Sequence, residues 1–464
     1  MICKPRYLEI YIISIVAFIY YLILKLHQYQ AFGIHGELAD FESMIWNTLQ
    51  GRFLEKGATN LSFFAIHFSP ILLLLVPVYA VFSSPISLLV VQAGAAATAL
   101  IPLYFIARDK LTNGWVAMAI VLSFLFSRIL NYGLMYDFHM EIFYPLLLFC
   151  VFRSLQQERW TPFFIFLVLA FMVKEDAGVA FLGLGLYMVS LRYYRQGIIV
   201  ATTSVIYLFV VLLIIIPQFR ASQDNSSYLF AHYWANYGNS IREIIGNMMN
   251  PIYDIKAIFT LQKIQKMFNL FSVFLFLPLF SLRTTLFLVL PCWFMLYSTD
   301  NKMMNGYLTY YGLLIIPFLF YSSINVLSGI QKRFPRHGPK IVTVVATIVL
   351  IINIGNSAGF KQMKSNYWEI HPRVRTAQQL IDSIPKTEPV SVQVDLQSHL
   401  PVRLERYLIP NGIDRAHYLL FDSQGNTWPL SKDLNNRLLD SLRNSKGWGI
   451  LAEKDGFVLM HSGK

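Results

Sequence analysis

The 464-residue chain is short of charge and of cysteine. Asp, Glu, Lys and Arg make up only 14% of it, against about 25% in an ordinary soluble domain. That scarcity excludes an intrinsically disordered chain, which needs high charge and few apolar residues. The three cysteines are Cys3, Cys150 and Cys292, the last two inside apolar runs. They exclude a disulfide framework and a cysteine metal site. A glycine-rich phosphate loop and an internal repeat are also missing. Acids are scarcer than bases, 26 against 38, for a formal charge of +12. In a soluble protein this excess would suggest a nucleic-acid partner. In a membrane protein it is expected, because Lys and Arg collect in cytoplasmic loops.

Apolar surface is what the sequence has in abundance: 55% hydrophobic and 15% aromatic residues, with a mean hydropathy of +0.49. One water-soluble core cannot hide so much, so the chain reads as a polytopic membrane protein. The first apolar run, Leu8 to Leu26, follows Lys4 and Arg6 and lacks a small-residue cleavage site. It reads as an uncleaved span with its N-terminus in the cytoplasm. Pro70 to Phe82 is apolar but shorter than the roughly 17–25 residues a spanning helix needs. If it lies along the membrane, the later spans run roughly 86–107, 115–130, 141–153, 160–173, 177–191, 198–216, 267–281, 284–298, 309–327 and 340–358. The cytoplasmic connections then hold Arg108/Lys110, Arg153/Arg159, Arg192/Arg195, Arg283 and the cluster Lys332/Arg333/Arg336/Lys340. Every one is net positive, as the positive-inside rule requires. If the short piece spans, all of them move outside. The expected fold is therefore mainly α: a bundle of about 11 spans with the C-terminus outside.

From residue 359 the composition becomes that of a soluble domain. Val374 to Ile384 has helical spacing, and Pro389-Val-Ser-Val-Gln-Val alternates like a strand. Arg406-Tyr-Leu-Ile-Pro and His417-Tyr-Leu-Leu-Phe are further short strands, and Leu434 to Leu442 is a helix. Gly449 to Met460 reads as a hairpin turning at Asp455-Gly456. The expected division is a membrane domain over 1–358, with a first outer loop at 27–69, and an extracytoplasmic α/β domain over 359–464.

The polar residues that interrupt apolar sequence fall at one face. In the first outer loop Glu37, Asp40 and Glu42 lie within six positions. A helix there would put Glu37 and Asp40 on one side. A carboxylate so placed can serve as a general base or bind a divalent metal; it can equally be a solvated acid at a helix start. His67 and the pair His139/Glu141 stand at the mouths of apolar segments, where they bind a ligand or simply face water. The i, i+2 spacing of His139 and Glu141 needs an extended or broken backbone to bring the two together. Lys174-Glu175-Asp176 breaks an apolar run from Phe163 to Leu191. Charges at membrane depth line cavities or pair with each other, although a short outer turn would also hold them. Arg220 follows a span, where it either clamps a phosphate or snorkels to the interface. The loop 217–266 is polar and aromatic, with His232, Tyr233, Trp234 and Tyr237, and Asn225-Ser226-Ser227 fits a glycosylation sequon. In the tail, His399 and Arg403 follow a strand.

These motifs come in a recognisable order. Glu37-Leu-Ala-Asp-Phe-Glu-Ser-Met-Ile-Trp-Asn-Thr is followed by His67-Phe-Ser-Pro-Ile-Leu-Leu-Leu, Phe138-His-Met-Glu and Lys174-Glu-Asp-Ala-Gly-Val. Val390-Ser-Val, His399-Leu-Pro-Val-Arg, Tyr407-Leu-Ile-Pro-Asn and Tyr418-Leu-Leu-Phe-Asp continue the series. Together they resemble a family of predicted membrane proteins, the domain of unknown function two thousand and seventy-nine, over nearly the whole chain. Three departures stand out. Glu37 and Glu42 occupy positions where the family usually has Asp, Met140 stands where it has Pro, and Tyr310-Tyr311 replaces a frequent His-Tyr pair. The family is similar in architecture to the integral-membrane glycosyltransferases of the C-type fold.

The resemblance implies an enzyme of the plasma (inner) membrane that moves a sugar from a polyprenyl-phosphate donor to an acceptor outside the cytoplasm. Glu37, Asp40 or Glu42 would be the base. His67, His139, Glu141, Lys174, Glu175, Asp176 and Arg220 would line the substrate site. No cofactor is fixed by the residues, and a divalent metal held by the acids and histidines is one candidate. The expected partners are the lipid-linked sugar, an acceptor of unknown identity and the bilayer, with no nucleic acid. The alternative is a transporter or lipid flippase, which would show matching interrupted helices in two related halves; only the break at Lys174 is seen. A structural or assembly protein with an outer sensory domain is the third reading.

Overall fold

Inside a bilayer no water is available to free N–H and C=O groups, so apolar runs satisfy their backbone internally as helices. The computed structural model describes residues 7–57, 61–220, 231–357 and 359–463. Among them six helices are long and apolar enough to cross a membrane: α1 (Leu8–Gln30), Pro85–Lys110, Gly114–Met135, Tyr194–Arg220, Gly312–Arg333 and Gly338–Asn356. Four shorter apolar helices are Pro70–Val81, Trp160–Phe171, Ala177–Ser190 and Leu282–Tyr297. The first of these consists of a 3-10 turn and a short α-helix, Val76–Val81, too short to cross a bilayer. The chain divides into two compact units: Met1–Tyr21, Phe64–Ile71 and Gln92–Met363 in one, Leu22–Phe63, Leu72–Val91 and Lys364–Lys464 in the other.

In the first unit, glycines let helices approach closely. A methyl group at Gly185 would stand 2.5 Å from the Ala201 nitrogen and 2.8 Å from the Gly197 carbonyl. Ala177–Ser190 and Tyr194–Val210 therefore touch backbone to backbone, the small-residue packing that apolar surroundings favour. The outer side of the second of these helices presents Ile198, Ile206 and Phe209, all more than half exposed, as a lipid-facing surface would. One expected span takes a different form. The run 267–281 is not a single helix: Leu261–Ser272 ends, and Leu275 and Phe276 adopt left-handed φ of 52° and 58° before a 3-10 turn over Leu277–Phe280. Pro278, which cannot continue a helix, sits in that turn.

The second unit carries a five-stranded sheet of β1 (Val390–Val392), β2 (Arg406–Leu408), β3 (Tyr418–Asp422), β4 (Trp448–Lys454) and β5 (Phe457–Ser462), in the order β2-β1-β3-β5-β4. β1 runs parallel to β2 and β3, with Val390 opposite Arg406 and Tyr418; β5 is antiparallel to β3 and β4. Alternation sorts the strands' side chains between two cores. Leu420, Phe457 and Leu459 pack with Ala377 and Ile381 of the helix Arg373–Ser383. Leu419, Phe421, Val458 and Met460 pack with Leu439 and Leu442 of the helix Lys432–Arg443. The helices, strands and hairpin expected in the tail are all present, each within a few residues of its expected bounds.

The same unit contains α2 (Gly36–Leu49) and α3 (Val76–Val81). Gly36 begins α2 where a side chain would collide with Gln397 Oε1, 2.5 Å from its Cβ, and crowd Val394 at 3.2 Å. Glycine at that position lets α2 lie directly on the segment that follows β1. His35, the residue before α2, holds Asp395 at 2.7 Å, and its carbonyl accepts from the Ser398 hydroxyl at 2.9 Å.

Candidate functional site

Two clusters of candidate residues emerge, one in each unit. On α2 the helix separates the three acids by face. Glu37 and Asp40, three residues apart, lie together and half-exposed. Asp40 Oδ2 is 2.7 Å from the Lys56 ammonium. Glu42 points the other way and is 2% exposed. It accepts from Tyr79 of α3 at 2.9 Å and from the Arg406 guanidinium of β2 at 3.1 Å. Arg406 also donates to the carbonyls of Ala39, Gln397 and Leu400 and to the Ser43 hydroxyl. Burial raises the Glu42 carboxyl above its usual range, and Arg406 and Tyr79 pull against that rise.

In the first unit the break between Trp160–Phe171 and Ala177–Ser190 gathers the remaining candidates. The ammonium of Lys174, a residue 4% exposed, lies 2.7 Å from Glu141 Oε1 and 4.6 Å from the centre of the Tyr311 ring. Glu141 is 1% exposed, and among the described residues its second oxygen has the His139 ring at 3.6 Å and no closer hydrogen-bond partner. His139 has extended backbone (φ −143°, ψ 145°) before the turn Met140–Ile142, the broken geometry that the i, i+2 spacing requires. Its ring stacks on Tyr310 at 3.6 Å. His67 Nδ1 is 2.6 Å from Glu175 Oε1, and the Phe68 backbone N–H donates to the other oxygen. The Tyr144 hydroxyl donates to Asp176 at 2.5 Å, and Tyr207 donates to the carbonyls of Phe171 and Lys174. Burial pushes the Asp176 carboxyl up to about 7, with Lys174 drawing it down and Glu141 and Glu175 adding to the rise.

His67, Lys174, Glu175, Asp176 and Tyr311 open onto a cavity of about 360 Å³ whose other walls are mostly apolar, among them Leu208, Leu212, Phe294 and Met295. Part of that wall, Leu212 and Leu213, lies in a π-helical turn, Val211–Ile215, a distortion that recurs at functional sites. Glu141 and His139 stand behind Lys174 and are not part of the lining. Arg220 ends the helix Tyr194–Arg220 and is not brought to this cavity. The sequon Asn225-Ser226-Ser227 lies outside the described residues.

The tail residues also have their places. Arg403 donates from Nε to the Pro401 carbonyl and from Nη1 to those of Pro385 and Glu388, and His399 stacks between Phe32 and Tyr29.

Among the described residues no three His, Cys, Asp or Glu side chains converge. The cation beside Glu141 is the chain's own Lys174. Tyr310 and Tyr311, Tyr144, Tyr207, Lys56, Tyr79 and Arg406 are the residues that sequence reasoning did not place in either cluster. For Tyr310-Tyr311 the signal was present, as the substitution of the family's His-Tyr pair.

The fold matches solved structures over nearly its full length. The crystal structure of ArnT from Cupriavidus metallidurans bound to undecaprenyl phosphate aligns with a TM-score of 0.54 at 10% identity, covering 96% of this chain and 97% of that one. The apo structure of the same protein gives 0.50 at 10% identity, covering 91% and 92%. The fold is thus similar to that of ArnT. No curated protein matches by sequence. The family model described as a predicted membrane protein (DUF2079) matches residues 37–459, and the chain belongs to that family.

Proposed function

We propose that the protein is a membrane glycosyltransferase that takes a sugar from a polyprenyl-phosphate carrier and passes it to an acceptor hydroxyl at the non-cytoplasmic face of the plasma membrane. The observation that carries this reading is the cavity with Lys174 at a polar edge and apolar walls elsewhere. A lipid-linked phosphosugar has that same division into charged head and apolar chain. The likeness of the fold to ArnT, a structure of which holds undecaprenyl phosphate, supports the same reading.

In the reaction the bond between the anomeric carbon and the phosphate oxygen breaks. A bond forms from the acceptor oxygen to that carbon, and the hydroxyl proton passes to a carboxylate. Negative charge builds on the departing lipid phosphate. Lys174, oriented by Glu141 and by the Tyr311 face, stabilises that charge in a site poor in water. The family resemblance assigns the proton-accepting carboxylate to α2, where Asp40 and Glu37 are the half-exposed acids. Glu42 is assigned a structural role, because both its oxygens are engaged by buried donors.

The test is donor consumption by the purified protein, given a panel of radiolabelled polyprenyl-phosphate sugars. Asp40→Asn or Glu37→Gln is expected to slow consumption by about 10²–10⁴. Glu42→Gln is expected to act through lowered stability instead. If folded wild type consumes no donor but moves lipid between leaflets, the transport reading replaces this one.

A further inference from the structure

A second cavity in the first unit, of about 380 Å³, is lined by Ser127, Arg128, Asn269, Ser272, Tyr307, Asn353 and others. Its chemistry is the reverse of the Lys174 cavity. Arg128 has no ion pair or hydrogen bond among the described residues; its guanidinium lies over the Tyr132 ring at 5.5 Å and acts electrostatically on Tyr307. No carboxylate is among the lining residues. The Tyr307 hydroxyl and the Asn269 amide make no hydrogen bond among the described residues either. Asn353 spends its amide nitrogen on the carbonyls of Val273 and Val349, leaving its oxygen over.

The depth of this cavity can be read from two helices. Gly114–Met135 and Gly338–Asn356 run alongside each other, joined by bonds from Asn113 to Thr343 and from Trp115 to Thr347. Both start next to basic clusters, Arg108/Lys110 and Lys332 to Lys340. Gly114–Leu125 is about 18 Å long and Arg128 opens the next helix, Arg128–Met135, after extended Ser127; Asn353 lies roughly 20 Å along Gly338–Asn356 from its start. In a hydrocarbon core about 30 Å thick, that is the third nearest the opposite leaflet's head groups. A cation at this depth without a counter-ion is costly unless something anionic joins it. Asn269 is exposed, so the cavity opens outward.

We propose that this cavity binds the phosphate of a membrane lipid, with Arg128 as the charged donor and Tyr307 and Asn269 as neutral donors. The site is separate from the Lys174 cavity, and the inference does not rest on the transferase reading. The lipid can be a bulk anionic phospholipid or a polyprenyl phosphate, since the two share the phosphate that the donors recognise.

The test titrates the full-length protein in detergent with dioctanoyl phosphatidylglycerol, a short-chain isoprenyl phosphate, inorganic phosphate and dioctanoylglycerol, with retained ligand read by native mass spectrometry. Either phospholipid-type ligand, or both, is expected to bind well above dioctanoylglycerol. Arg128→Gln is expected to weaken that binding by about tenfold to a hundredfold, the worth of a charge-assisted bond. Tyr307→Phe and Asn269→Ala, which remove groups that make no hydrogen bond among the described residues, should each cost a few-fold, and they carry the test if Arg128→Gln does not fold. Phosphatidylglycerol binding should be unchanged in Lys174→Gln, which tells this site from the donor cavity. Equal binding of dioctanoylglycerol, inorganic phosphate bound as tightly as the lipids, or undiminished binding in all three cavity variants would overturn the proposal.

Discussion

Each unit buries a carboxylate against a cation, and the two pairs are finished differently. Glu42 and Arg406 form a closed set: both carboxylate oxygens accept, and the guanidinium has carbonyls and a hydroxyl for its remaining donors. Glu141 and Lys174 form an open one. Among the described residues one oxygen of Glu141 lacks a hydrogen bond, and Lys174 lines a cavity. Burial of charge alone therefore does not mark a site. A buried cation bordering a void does, because a ligand there can meet it. The first pair reads as a clamp that fixes α2 to the sheet, and the second as a pair whose cation has work outside the protein.

The largest effect that would break this comparison is on stability. Arg406→Ala leaves Glu42 buried and uncompensated, which costs about 3–5 kcal/mol. Thermal unfolding should show this as a strongly lowered midpoint. A midpoint near wild type would mean that the clamp contributes nothing.

A smaller effect is in the pH dependence. Burial raises the Glu42 carboxyl above 4.5 in the folded protein, so the unfolded chain releases that proton more readily. The stability this contributes is complete below pH 4.5 and is lost as pH rises through the raised value. Glu42→Gln should therefore gain on wild type in unfolding midpoint as pH increases. His399 works in the opposite sense. Burial lowers it from 6.5 to about 3, so its contribution is complete above pH 6.5 and is lost as pH falls toward 3. His399→Phe should gain on wild type in acid. Parallel pH profiles for either variant and wild type would contradict that assignment.

The smallest effect belongs to Lys56→Gln. Its bridge to Asp40 is 40% exposed on the lysine side, and such pairs contribute about 0.2–1 kcal/mol. A loss of several kcal/mol in urea unfolding would mean that Asp40 holds the structure together as Glu42 does, which would remove it as a candidate base.

Much of this was legible in the sequence where the signal is local. Alternation over Val390–Val392 and Tyr418–Asp422, the Asp455-Gly456 turn and the shared face of Glu37 and Asp40 all follow from neighbours in the chain. Three consecutive charges at Lys174 to Asp176 marked the helix break. The partners were not legible, because Glu42 meets Arg406 across 364 positions and Lys174 meets Glu141 across 33. No pattern in a single sequence reports such pairing. The run 267–281 misled for a related reason: its apolar composition was real, but the left-handed Leu275 and Phe276 and the turn at Pro278 divide it.

The most direct measurement of the central claim compares wild type with Lys174→Gln in the donor-consumption assay, with folding checked by thermal unfolding. Wild type should consume at least one polyprenyl-phosphate sugar. Lys174→Gln should slow that by about 10²–10³, the usual cost of removing one donor to developing charge. Equal rates in the two proteins, or no consumption by folded wild type, would contradict the account.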